Sequence, residues 1–170
     1  AIALCGLDPV YQRKAVSQIT GYLPENNPLY GDMKVREYLE YVANVKKVKD
    51  YDLLIRTVGV KDVLSAKIET LSRGFKQRVG LVAAMMGEPD LLILDEPTSG
   101  LDPIEQDKIR DVIQKFSKKN SVIFSTHILS EVEDIATRII ILHKGKIVFD
   151  GKKPRGKGAV EKLFKKLVKN

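Results

Sequence analysis

Short apolar runs alternate along the chain with segments of helical periodicity, the pattern of an α/β fold with a largely parallel sheet. Residues 1–5 predict a strand, and residues 19–23 a second extended piece closed by Pro24. Val35, Tyr38, Leu39 and Val42 fall on one side of a helix, while Leu53, Leu54 and Val58 predict a shorter one. Residues 75–86 are apolar nearly all round, as in a buried helix. Leu91, Leu92, Ile93 and Leu94 form the continuous run of a strand covered on both faces. Ile109, Val112, Ile113 and Phe116 mark another helix, with Asp102 as N-cap, Pro103 at its first position and Glu105 at the capping-box position. A strand over Ser121–Ser125 leads to a helix that Ser130 would cap with Glu133 three residues on. Residues 139–142 and 146–149 flank Lys144-Gly145 and predict a β-hairpin.

Length and composition fit one globular domain: 170 residues, 44% of them hydrophobic, suffice for a core and exclude intrinsic disorder. No apolar run approaches the ~18 residues that span a bilayer. Cys5 has no internal partner for a disulfide and reads as a buried small hydrophobe. With no secretory leader visible, the expectation is a soluble, intracellular domain. The net charge of +7 suggests nucleic acid until it is located: residues 152–170 hold eight Lys or Arg against Glu161 alone, which accounts for all of it. The remaining body is neutral, so it is not a basic nucleic-acid surface.

Candidate chemistry begins at Asp95-Glu96. A buried strand ending in two carboxylates delivers both to the C-terminal edge of the sheet, where open α/β folds bind ligands. An Asp there can hold Mg²⁺, and a neighbouring carboxylate can take a proton from an attacking water. Taken alone, the pair equally well ends a strand and enters a loop. Upstream, Ser72 before a helix offers a hydroxyl and free backbone N–H groups at a positive helix end, suited to a phosphate, and Gly74 would let the backbone approach it. An ordinary serine N-cap has the same appearance. His127 follows a strand as Asp95-Glu96 does, which puts it at the same edge of a parallel sheet. His143, beside Lys144-Gly145, reads as a solvated turn residue.

Taken in order, Leu71-Ser72-Arg73-Gly74-Phe75-Lys76-Gln77-Arg78, Leu91 to Glu96, Pro97-Thr98-Ser99-Gly100-Leu101-Asp102 and Ser125-Thr126-His127 resemble the ATP-binding subunit of ABC transporters, over about residues 4–151. The resemblance implies a P-loop ATPase core with an inserted helical subdomain, about residues 35–87, that bears the signature. Domains would then be residues 1–151, a truncated ATP-binding domain, and residues 152–170, a basic and helical C-terminal segment. By the same resemblance, Ser72, Arg73, Gly74 and Phe75 sit in the signature loop facing the γ-phosphate held by a second ATP-binding subunit. Asp95 supports Mg²⁺, Glu96 is the general base, residues 99–102 with Asp102 cross the dimer interface, and His127, 32 residues beyond Asp95, senses the γ-phosphate. ATP and Mg²⁺ are the implied cofactors. The partners are a membrane subunit, docked near residues 25–40 with Tyr22, Tyr30 and Tyr38 at hand, and a second ATP-binding subunit. The place is the cytoplasmic face of the membrane.

Three departures from the family pattern matter. Arg73 and Phe75 replace the commonest glycine and glutamine of the signature, in the style of subunits serving ABC-2-type exporters. Glu25 stands where the Q-loop has glutamine, as a second carboxylate able to ligate Mg²⁺. No Gly-x-x-x-x-Gly-Lys-[Ser/Thr] occurs, and the chain opens without Met, so it reads as N-terminally truncated. Alone, it is expected to bind Mg·ATP weakly and not to turn it over. A non-catalytic module donating a signature face to a complete ATPase is the alternative function. A soluble relative acting on nucleic acid or ribosomes is another, although nucleic acid is not the expected partner. In the C-terminal segment, Val160, Leu163, Phe164, Leu167 and Val168 form a helical stripe, favouring a helix packed on its own domain over one lying on a lipid surface.

Overall fold

A computed structural model describes residues 2–168. The chain forms two compact units that divide between Ser125 and Thr126.

The first unit contains α1 (Arg13–Ile19), β1 (Thr20–Leu23), α2 (Val35–Lys46), α3 (Asp52–Val58), α4 (Arg73–Met85), β2 (Leu91–Asp95), α5 (Pro103–Ser117) and β3 (Ser121–Ser125). The three strands form a parallel sheet in the order β1-β2-β3, with Leu23 level with Leu94 and Asp95 level with Ser125. In β2, Leu91, Leu92 and Leu94 are buried, as the continuous apolar run requires. The first unit is built around α4: it packs against β1, α2 and α3, and buries Val79, Leu81, Val82, Ala84 and Met85. Along α5, Ile109 and Ile113 lie fully inside; each such side chain contributes about 1.5–3 kcal/mol relative to an exposed one.

The N-terminal segment departs from expectation. Instead of a strand over residues 1–5, the chain turns at Cys5 and Gly6, both at positive φ, and Leu4 bonds back to Leu7. Cys5 is exposed, not buried. The helix α1 has no buried residue, and its short apolar set of Ala15, Val16 and Ile19 is half-buried. In α3 the inward positions are Ile55 and Val58, and Leu53 points outward. Tyr38 belongs to the core, flanked edge-on by the rings of Tyr30 and Tyr41. Burial, and then the neighbouring phenols, push its own phenol above the ordinary range.

The second unit contains α6 (Leu129–Ile135), β4 (Arg138–His143), β5 (Lys146–Lys152) and α7 (Ala159–Val168). The strands β4 and β5 form the expected antiparallel hairpin, and positive φ at both Lys144 and Gly145 suits its two-residue turn. Ile139, Ile141 and Val160 form its core with Val132, Phe149, Leu163 and Phe164 against them. The apolar stripe of α7 is therefore spent on packing within this unit. Ser130 does not cap α6: the helix begins one residue before it, with Ile128 in the N-cap position. The Glu133 carboxylate instead accepts N–H bonds from Gly158 (3.2 Å) and Val160 (3.3 Å), at the start of α7. His143 ends β4 half-buried, and its Nε2 is buried without a hydrogen-bond partner among the described residues, so it is not a solvated turn residue.

Candidate functional site

Asp95 is the last residue of β2, and both it and Glu96 are half-buried. The Ser125 hydroxyl, level with Asp95 on the neighbouring strand, donates to Asp95 Oδ1 at 2.5 Å. That length is typical of a charge-assisted O–H···O⁻ bond. Glu96 follows at φ 47, a left-handed conformation that costs a non-glycine residue roughly 1–2 kcal/mol. Its N–H is shared between Ser125 Oγ (3.1 Å) and the Ser125 carbonyl (3.2 Å), which holds that turn in place. The first strand ends level with the same edge, so Glu25, two residues beyond Leu23, leaves the sheet at the end that carries Asp95 and Glu96; its side chain is exposed.

The signature segment opens α4. Ser72 caps it by accepting the Phe75 N–H at 3.3 Å, and Asp102 caps α5 by accepting the Glu105 N–H at 3.0 Å. Two glycines let these helix starts meet. A Cβ on Gly74 would lie 3.1 Å from the Glu105 carboxylate, and one on Gly100 would lie 2.6 Å from the Arg73 guanidinium. A side chain at Gly74 would require the Glu105 carboxylate to give by a few tenths of an ångström. Glu105 does not close the anticipated capping box; its carboxylate pairs with Arg78 (3.1 Å) and Lys108 (2.8 Å). Arg78 also donates to the Gly59 carbonyl at 2.8 Å and lies over the Phe75 ring at 4.1 Å. The structure therefore gathers Ser72, Arg73, Gly74, Phe75 and Asp102 at one junction, and Asp95, Glu96 and Glu25 at one sheet edge.

His127 lies in the second unit and is exposed. The preceding Thr126 accepts the Ile128 N–H at 3.0 Å and donates to Glu131 at 2.8 Å; the Glu131 side chain is fully buried in α6.

Among the described residues no three His, Cys, Asp or Glu side chains converge as a ligand set. Mg²⁺ takes one or two protein carboxylates with water and phosphate oxygens rather than a protein cage, so Asp95, with nothing bonded to Oδ2 among the described residues, fits it. Ser125 is the residue that sequence reasoning did not assign. Its signal was present, a hydroxyl ending the next strand, but only the register identifies Asp95 as its partner.

A parallel sheet ending in an Asp-Glu pair, with a serine-capped, glycine-bearing helix in the same unit, is the arrangement of a nucleotide-binding α/β protein. The chain belongs to the ABC transporter family, whose model matches residues 3–99. More narrowly, it is an ATP-binding domain of that family. It is 38% identical over 146 residues to an uncharacterized ABC transporter ATP-binding protein, YhaQ, of Bacillus subtilis, covering 81% of this chain and 48% of that protein. With the lantibiotic transport ATP-binding protein SrtF of Streptococcus pyogenes it shares 35% identity over 147 residues, 85% of this chain and 64% of the relative. A solved ATP-binding subunit of an ABC transporter superposes with a TM-score of 0.80 at 27% identity, over 96% of this chain and 70% of that one. The chain spans about half the length of the first curated relatives it matches. Among the described residues no helix is long and apolar enough to cross a membrane.

Proposed function

We propose that this chain is part of an ATP-hydrolysing subunit that energises transport through a membrane partner, working at the cytoplasmic face of the membrane and paired with a second ATP-binding subunit. The observation that carries this reading is the Asp95-Glu96 pair at the end of β2, braced by Ser125, in a chain of this family. Mg²⁺, when bound with ATP, would neutralise charge on the phosphates. Asp95 would hold the cation, with Glu25 as a second carboxylate available to it from the neighbouring strand end. Glu96 accepts a proton from the attacking water, and His127 contacts the γ-phosphate.

Ser72, Arg73, Gly74 and Phe75 would face the nucleotide of the second subunit. The free N–H groups at the start of α4 and the Arg73 guanidinium are suited to an anion. Asp102 would lie at the boundary between the two subunits while capping α5. Tyr22 and Tyr30, both exposed, are available to the membrane partner near residues 25–40. The 170 residues contain no Gly-x-x-x-x-Gly-Lys-[Ser/Thr], so hydrolysis is proposed for the assembled protein and not for this chain by itself.

The test is Glu96→Gln in the protein as the cell makes it, assayed for phosphate release. Loss of a general base should lower kcat by about 10²–10⁴ while Mg·ATP still binds. An unchanged kcat would remove Glu96 from that role.

A further inference from the structure

We propose that Ser125 is a positioning residue for both carboxylates of the site: it aims Asp95 at the metal and fixes the turn that presents Glu96. The inference rests on the reading that Asp95 and Glu96 do the chemistry, and it adds a residue to which that reading gave no part.

Geometry supports it in three ways. Ser125 is the register partner of Asp95 in the parallel ladder, so the two side chains leave the same face as lateral neighbours. A hydroxyl on the first side-chain carbon can bridge that gap, and it does so at 2.5 Å to Oδ1. Engaging one oxygen sets the plane of the carboxylate and leaves Oδ2 to meet a cation. The same Oγ has a lone pair to spare and receives the Glu96 N–H at 3.1 Å. The Ser125 carbonyl takes the other share of that N–H at 3.2 Å. One side chain therefore couples the direction of Asp95 to the left-handed turn at Glu96, whose φ is 47. Removing the hydroxyl frees the carboxylate to rotate and takes from the Glu96 N–H one of the two Ser125 acceptors it shares.

The experiment compares Ser125→Ala, Ser125→Thr and Asp95→Asn in the protein as the cell makes it. Mn²⁺ binding in the presence of ATP is followed by electron paramagnetic resonance, and Glu96 amide exchange is measured without nucleotide. Ser125→Ala should weaken Mn²⁺ about tenfold, as loss of a hydrogen bond to a ligating group does. It should also speed Glu96 exchange by about 3–10-fold, the worth of one hydrogen bond. Ser125→Thr, which keeps the hydroxyl, should restore both. In turnover, the KM for the metal should rise more in Ser125→Ala than the KM for ATP.

If Ser125→Ala leaves Mn²⁺ affinity and Glu96 exchange unchanged while Asp95→Asn abolishes metal binding, the positioning role is wrong and the site assignment survives. If Asp95→Asn also binds Mn²⁺ normally, the metal assignment fails and takes the proposal with it. Failure of threonine to rescue would likewise overturn it, because a hydroxyl would then not be what matters.

Discussion

Arg78 shows how much one side chain can hold. It is 6% exposed, and its guanidinium meets the Glu105 carboxylate, the Gly59 carbonyl and the Phe75 ring. Truncating it leaves Glu105 with Lys108 as its one remaining ion-pair partner among the described residues and opens space between α3, α4 and α5. Arg78→Ala should cost about 3 kcal/mol in urea denaturation, the low end of the range for breaking a buried pair from one side, because Lys108 still faces Glu105. Replacing both partners, as in Arg78→Met with Glu105→Leu, should recover most of that loss, because the one charge then left unpaired, Lys108, is solvent-exposed. Neither this pair nor the Ser125–Asp95 contact was legible in the sequence, since each joins residues far apart in the chain. The caps at Ser72 and Asp102 were legible because each partner is three residues away. Cys5 misled for a related reason. Its apolar neighbourhood resembles a strand, but Gly6 beside it admits the turn that the chain takes.

At the scale of elements, periodicity identified α2, α4, α5 and β2 because each commits a face or a whole surface to burial, and β3 by its apolar run although only Val122 and Phe124 are half-buried. It missed α1, which buries nothing, and misplaced the start of α6, where Thr126 and Glu131 supply the local hydrogen bonds instead of Ser130. The β4–β5 hairpin carries a pH-sensitive clasp. Arg138 grips Asp150 with two bonds, at 2.8 and 2.9 Å, and the bond from Arg138 chiefly holds the Asp150 carboxyl below its ordinary 3.8. Since the folded-state value is the lower one, the stabilisation is complete above the unfolded value and disappears as pH falls through the folded one. Asp150→Asn should therefore flatten the acid side of the stability profile read from β4 and β5 amide exchange, and leave its neutral side lower. The clasp is solvent-exposed, so the change should be small.

Across the whole molecule, charge and apolar surface are apportioned unevenly. The excess of cations lies in residues 152–170, and there the apolar side of α7 is occupied by Ile139, Ile141 and Phe149. What α7 offers outward is a lysine face, the outcome anticipated for a terminal helix packed on its own domain. Val160, 2% exposed, seals that contact, so Val160→Asp should remove exchange protection from β4 and β5, at a cost above about 4 kcal/mol. Topology separates the units further. The hairpin closes through Lys144 and Gly145 alone, whereas Thr20 must find Leu91 and Leu91 must find Ser121. Local pairings form fast and distant parallel ones slowly. On a ribosome the difference becomes a waiting time. Ser125 is made 30 residues after Asp95, roughly 2–6 seconds later at ordinary elongation rates. For that interval the side of β2 that β3 will pair stands open, and Asp95 and the Glu96 N–H wait for the serine that joins them.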